Sequence, residues 1–305
     1  MRPLILLSPA KTLNFEAALS PALAKAAATA PHYVSEAHTL ADSLGTLSKA
    51  ELGKLMSLSA SLASLNHARF ADFTAQPTRI AAAAFEGPAY KGLDAASLES
   101  EQLGYLQGSL RILCGLYGVL RPLDEIRPYR LEMGTRYAHG GHASLYAKWR
   151  DTLTAHLNAE LDALPDGPAK FVLNVASQEY AKSVALDALR APVVTAAFPG
   201  PSVHAKTARG QLARFCAVHG VSSVAQLRDF RGSGGEWSFV PAESTDTLLT
   251  FKRGGGSAPK GKGKAAAATT KTKAAAKPKP AATKAAAAKA AAAKAAAAKA
   301  AAAKA

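Results

Sequence analysis

Apolar positions near the amino terminus form a run of four, Leu4-Ile5-Leu6-Leu7, closed by Ser8-Pro9. That length and abrupt end predict a buried strand followed by a loop. Over residues 31–73 the pattern turns helical, with Leu55, Leu58, Leu62 and Leu65 three or four apart. A second helical stretch carries Leu98, Leu103, Leu106, Leu110 and Leu113. It stops at Gly115, because Gly118 and Pro122 oppose a simple continuation. Residues 145–161 read as a further amphipathic helix, ended by Pro165-Asp166-Gly167. Residues 171–175 and 193–198 read as strands, and residues 237–240 and 247–251 as a hairpin. Helices and strands mix without strict alternation. The expected fold is therefore one compact mixed α/β (α+β) domain, in preference to a doubly wound sheet.

The pattern ends at residue 253. Residues 254–305 contain almost only Ala and Lys, with Gly, Pro, Thr and one Ser, and form a separate low-complexity tail. A Gly-rich linker opens it. Beyond Lys279-Pro280 the unit Ala-Ala-Ala-Ala-Lys repeats and places Lys284, Lys289, Lys294, Lys299 and Lys304. A step of five turns a helix by ~140°, so these lysines would spiral around it and not line one face. A disordered to partly helical tail is expected, because lysines without acids repel one another until an anion neutralises them.

This division changes the meaning of the charge. The chain has a formal net charge of +15, and the tail holds twelve lysines and no acid, which leaves +3 on residues 1–253. The tail calls for a polyanion as partner, with DNA the usual one; a solubilising tail is the plainer alternative. Only Cys114 and Cys216 are present, both in apolar surroundings, so two reduced buried thiols are expected. The first apolar run is too short for a signal segment, and no membrane span is expected. Together these features predict a cytoplasmic protein.

Several segments could carry chemistry. Ser8-Pro9-Ala10-Lys11-Thr12 follows a strand and offers a lysine and two hydroxyls to an anion, although a plain polar loop fits as well. In residues 110–122 a helix running into Gly115 and Gly118 suggests a helix-hairpin-helix, whose turn would give backbone N–H groups to a DNA phosphate. A glycine-rich helix stop is the alternative. Arg130 and Glu132, two apart, share one side of an extended segment. Ser177, Glu179 and Tyr180 cluster just beyond a strand end, where Ser177 could equally be a helix cap. In the segment beginning Ala205-Lys206-Thr207-Ala208-Arg209-Gly210, a helix to Val218 would put Ala208, Leu212 and Phe215 on one side. Lys206, Arg209 and Arg214 would then form a basic front. His139-Gly140-Gly141-His142 lacks a Cys or acid at ligand spacing, so no metal site is expected. Cys114 would act as a peroxide-sensing thiol only if exposed and of lowered pKa.

Taken in order, these segments resemble the YaaA family of bacterial peroxide-stress proteins. The resemblance rests on Leu7-Ser8-Pro9-Ala10-Lys11-Thr12-Leu13, residues 115–124, residues 128–134, Asn174-Val175-Ala176-Ser177-Gln178-Glu179-Tyr180, residues 205–210 and Phe251-Lys252-Arg253, and it spans residues 1–253. It implies a compact α/β domain with a basic cleft and a helix-hairpin-helix-like element, DNA binding, and protection against hydrogen peroxide by limiting iron-driven damage. Carried over, the cleft would contain Lys11, Arg130, Glu132, Glu179, Lys206 and Arg209. Gly115, Tyr117, Gly118 and Arg121 would form the DNA-facing hairpin, with Arg214 and the tail lysines adding contacts. The sequence departs from the family pattern at Asn14, at Thr207 and in a short Pro199-Gly200-Pro201 connection, and the tail lies outside it.

The resulting expectation is a monomeric, non-enzymatic protein without cofactor that binds duplex or distorted DNA without sequence specificity. Two rivals stand beside it. One is a nucleic-acid-processing enzyme using Lys11, Arg130, Glu132, Glu179 and Lys206. The other is a small-anion or iron-handling protein with an incidental tail.

Overall fold

In the computed structural model, which describes residues 2–254, a seven-stranded sheet organises the body. Its strands are β1 (Leu4–Leu7), β2 (Leu110–Cys114), β3 (Gly118–Leu120), β4 (Val172–Asn174), β5 (Val193–Ala197), β6 (Trp237–Phe239) and β7 (Leu248–Arg253), in the order β6-β7-β5-β4-β1-β2-β3. The central strands β7, β5, β4, β1 and β2 are parallel, and β6 and β3 close the two edges antiparallel. Every residue of β1, β2 and β4 is buried, as parallel strands covered on both faces require. The mixed α/β domain expected from sequence is the fold observed. The parallel run is longer than the lack of strict alternation implied, because several helices intervene between consecutive strands.

The apolar run at residues 4–7, the strands in 171–175 and 193–198, and the carboxy-terminal hairpin all form where predicted. The long helix spans Leu145–Asp162 and buries Leu145, Trp149, Leu153, Leu157 and Leu161, every fourth residue, as an amphipathic helix requires. Residues 31–73 do fold as helices, but as three: Val34–Gly45, Lys49–Met56 and Ala60–Ala71. Ser48 and Glu51 make a reciprocal capping box, Ser57 adopts a left-handed conformation, and Ser59 caps the next helix. The spacing of Leu55, Leu58, Leu62 and Leu65 therefore crosses a break, and Leu62 and Leu65 are exposed.

One prediction fails. The second helix spans only Ser100–Ser109, and residues 110–120 form a β-hairpin in place of a helix-hairpin-helix. Pairing of Ile112 with Leu7 on one side and Leu120 on the other overrides the helical spacing. Gly118 takes φ +66°, and a Cβ there would lie 2.7 Å from the Trp149 ring. Trp149 Nε1 in turn donates to the Gly115 carbonyl at 2.9 Å. Gly115, Tyr117 and Gly118 are buried, so this turn offers no N–H groups to a DNA backbone.

The helix Ser202–Val218 runs against the shorter helix Pro88–Leu93 at backbone contact. A Cβ on Gly210 would meet the Ala89 carbonyl oxygen at 1.7 Å, and one on Gly92 would meet that of Thr207 at 2.1 Å. Two reciprocal glycines thus set the separation of the helices that flank the candidate site. No described helix is long and apolar enough to cross a membrane. Lys284, Lys289, Lys294 and Lys299, and the helix expected around them, lie outside the described residues.

Candidate functional site

The sheet topology explains where the polar residues gather. From β1 the chain moves to β2 on one side, and β4 later fills the other side. The loops leaving β1 and β4 consequently diverge at their carboxyl ends, the position where open α/β sheets leave a crevice. Both loops are fixed by hydrogen bonds. Val175 N donates to the Leu6 carbonyl at 3.0 Å, and Ser177 N donates to Ser8 Oγ at 2.8 Å. Ser8 Oγ donates in turn to Ser177 Oγ at 3.2 Å. Ser177 does sit at a helix start, but its hydroxyl serves this inter-loop link and makes no cap bond.

A cavity of about 260 Å³ lies against these loops. Lys11, Glu179, Lys206 and Arg209 line it, with Glu86-Gly87-Pro88-Ala89 as the opposite wall. Arg209 is the most constrained of its cations. Its Nε is buried without a hydrogen-bond partner among the described residues, and burial lowers the guanidinium pKa. Neither Arg209 nor Lys206 has a carboxylate within ion-pair distance among the described residues. An unpaired, partly desolvated cation is costly, and an anion arriving in the cavity removes that cost.

Beside the cavity, sharing Lys11 and Glu179 with it, an open groove of about 740 Å³ carries Arg130, Glu132, Lys54 and Arg136. Glu132 bridges two cations: Lys11 Nζ approaches Oε2 at 2.7 Å and Arg130 approaches Oε1 at 2.9 Å. The shared face proposed for Arg130 and Glu132 is real, and it extends to Lys11. Glu179 Oε1 accepts from the Gly134 N–H at 3.1 Å, which ties the segment following Glu132 to the β4 loop. Six residues expected in one cleft, Lys11, Arg130, Glu132, Glu179, Lys206 and Arg209, thus line two adjoining depressions.

Other candidates lie elsewhere. Arg214 is five residues from Arg209, a turn of ~140° on the helix. It donates to the Leu93 and Asp94 carbonyls at 3.3 and 2.8 Å, away from the cavity. Arg121 is held by Asp124 at 3.0 Å and lines a different, 140 Å³ cavity with His32, Arg111 and Glu160. Cys114 and Cys216 are free and buried. Burial pushes the Cys114 thiol up to about 12, so it meets neither condition for a peroxide-sensing thiolate.

The sequence reading missed the Pro88-Ala89 wall, and the Gly87-Pro88 pair that opens its helix was the available signal. It also missed Arg111, a strand residue whose Nε donates to both Glu160 oxygens at 2.9 and 2.8 Å.

Comparison with known proteins bears on this arrangement. The family model described as peroxide stress protein YaaA matches residues 4–242. The chain belongs to the YaaA peroxide-stress family. It is 42% identical over 262 residues to a UPF0246 protein of Aliivibrio fischeri strain MJ11, covering 82% of this chain and 98% of that protein. A UPF0246 protein of Paracidovorax citrulli is 44% identical over 264 residues, with the same two coverages. One from Burkholderia thailandensis is 41% identical over 266 residues, covering 83% of this chain and 100% of the relative. The YaaA-family match contains the whole β1-to-β5 sheet and both walls of the cavity, whereas the Ala/Lys tail lies beyond it.

Proposed function

We propose that this YaaA-family protein acts in the peroxide stress response by binding DNA phosphates along the groove and cavity at the carboxyl ends of β1 and β4, shielding DNA from iron-dependent oxidation. The carrying observation is the cation excess there: among the described residues Arg209 and Lys206 lack acidic partners, and Lys11 and Arg130 share the single carboxylate of Glu132. Recognition by point charges without base-edge readout gives affinity without sequence preference. The iron part of this reading rests on the family resemblance alone. A processing enzyme is the second reading, favoured by Glu179 standing among the cations of the cavity. The Glu132 ion pair argues for electrostatic work by Lys11 over attack by its amine.

The test compares DNA binding by the full chain and by residues 1–253 across a salt series. The core lies within the described residues, so the shorter chain retains its sheet and cavity. If about six tail lysines pair with phosphates, the full chain has a log K against log salt slope steeper by roughly 5. Residues 1–253 are expected to retain binding with a shallow slope. Loss of all binding with the tail would remove the body from DNA recognition.

A further inference from the structure

The cavity and the groove differ in what they can admit. The groove is open and carries Lys11, Lys54, Arg130 and Arg136, four cations that a nucleic-acid backbone could contact. The cavity, at about 260 Å³, lies near the lower end of the ~300–1,000 Å³ range of small-molecule pockets, and no duplex enters such a space. Only a single small unit fits. Its chemistry is written in two halves. One side is apolar, built by Leu7, Pro9, Ala10, Pro88, Ala89 and Val175. The other presents Lys206 and Arg209, neither neutralised by an acid among the described residues, with the Arg209 Nε buried and without an acceptor. Glu179 stands at the boundary with the groove, able to accept from a hydroxyl or amino group.

We infer that the cavity is a site for a phosphomonoester attached to a compact ring system, a single nucleotide unit, whether free or at the terminus of a DNA strand. The lining carries three cations, Lys11, Lys206 and Arg209, against two carboxylates, Glu86 and Glu179, and Lys206 and Arg209 make no ion pair among the described residues. These two attract the roughly −2 charge of a monoester more strongly than the single charge of an internal phosphodiester. The planar fork of Arg209 suits two phosphate oxygens. The apolar wall covers the ring. Because Lys11 and Glu179 border both depressions, a strand lying in the groove can pass its end directly into the cavity. For the DNA-borne form, this inference rests on the proposed DNA binding; for the free nucleotide it stands alone.

The experiment uses the full chain with four probes: inorganic phosphate, deoxyadenosine 5′-monophosphate, deoxyadenosine, and one DNA hairpin with a single-stranded 5′ overhang bearing either a 5′-phosphate or a 5′-hydroxyl. The monophosphate is expected to raise Tm, phosphate to compete with it, and deoxyadenosine to do neither. The phosphorylated hairpin is expected to bind about ten-fold tighter than its hydroxyl counterpart, the gain of one charged hydrogen-bonding group. Arg209→Gln should erase both effects. Lys206 is exposed, so Lys206→Gln preserves the fold and should weaken both effects on its own. Equal binding of the two hairpins together with no response to the monophosphate would overturn the assignment while leaving the DNA reading intact. Binding of the monophosphate that depends on Arg209, with neither hairpin bound, would instead end the DNA reading and keep the nucleotide site.

Discussion

Replacing Gly210 with alanine is expected to destabilise the body by about 3 kcal/mol, near the upper end of what overpacking costs. The added methyl would start 1.7 Å from the Ala89 carbonyl oxygen and 2.8 Å from the Leu93 nitrogen, both backbone atoms that no rotamer change can move aside. The helix Ser202–Val218 must therefore retreat from Pro88–Leu93. For a body of this size that corresponds to a fall in Tm of roughly 10 °C. The consequence reaches the site, because Lys206 and Arg209 lie on one of these helices and Pro88 and Ala89 on the other. Calorimetry checks the first effect and phosphate or DNA binding the second. An unchanged Tm would mean that the helices do not approach as described.

Breaking the Arg111–Glu160 pair should cost about as much. The Arg111 side chain is 7% exposed, and its Nε donates to both carboxylate oxygens. Glu160→Ala leaves that guanidinium buried with only the Gln107 and Leu110 carbonyls as acceptors, a loss of about 3–5 kcal/mol. The same pair fixes an acid dependence. Burial alone would raise the Glu160 carboxyl, but the His156 contact at 3.5 Å and Arg111 outweigh it and hold the carboxyl at about 2, below its usual 4.5. A folded-state pKa below the unfolded one contributes stability that is full above about pH 4.5 and is lost as pH falls toward 2. The contribution is about 3 kcal/mol. Urea unfolding of the natural chain should show this decline between those values, and Glu160→Gln should show a flatter acid limb from a lower plateau. Parallel acid limbs would contradict the assignment.

The parts of this fold legible from sequence are those decided locally. Residues 4–7 form a continuous apolar run too short for a helix, and the spacing from Leu145 to Leu161 buries one stripe of a helix. Residues 110–113 continue a leucine spacing that begins in the helix Ser100–Ser109, yet they form a strand because β1 and β3 flank them. Nothing within that segment signals those partners. The break at Ser57 was legible in principle, since Ser48-x-x-Glu51 and Ser59 mark two helix starts.

For the site, Lys11 and Glu179 could be found because they follow predicted strands. Lys206 and Arg209 could be found because three residues place them on one helix face. Arg214 was misplaced by the same helix geometry, read five residues too far. The cavity itself was not legible. Its Pro88-Ala89 wall is brought up by Gly92 and Gly210, more than a hundred positions apart in the chain. Arg111 and Glu160, likewise, come together only when the helix Leu145–Asp162 crosses the sheet edge.

The central claim is that the cations at the carboxyl ends of β1 and β4 hold phosphate. Its most direct test is binding of DNA with a 5′-phosphorylated single-stranded overhang by residues 1–253 carrying Lys206→Gln and Arg209→Gln, measured across salt against the unaltered body. The account predicts weaker binding and a log K against log salt slope shallower by roughly 2, one unit for each cation removed. Unaltered affinity and slope in the folded double variant would contradict it, and the phosphate site would have to be sought elsewhere on the molecule.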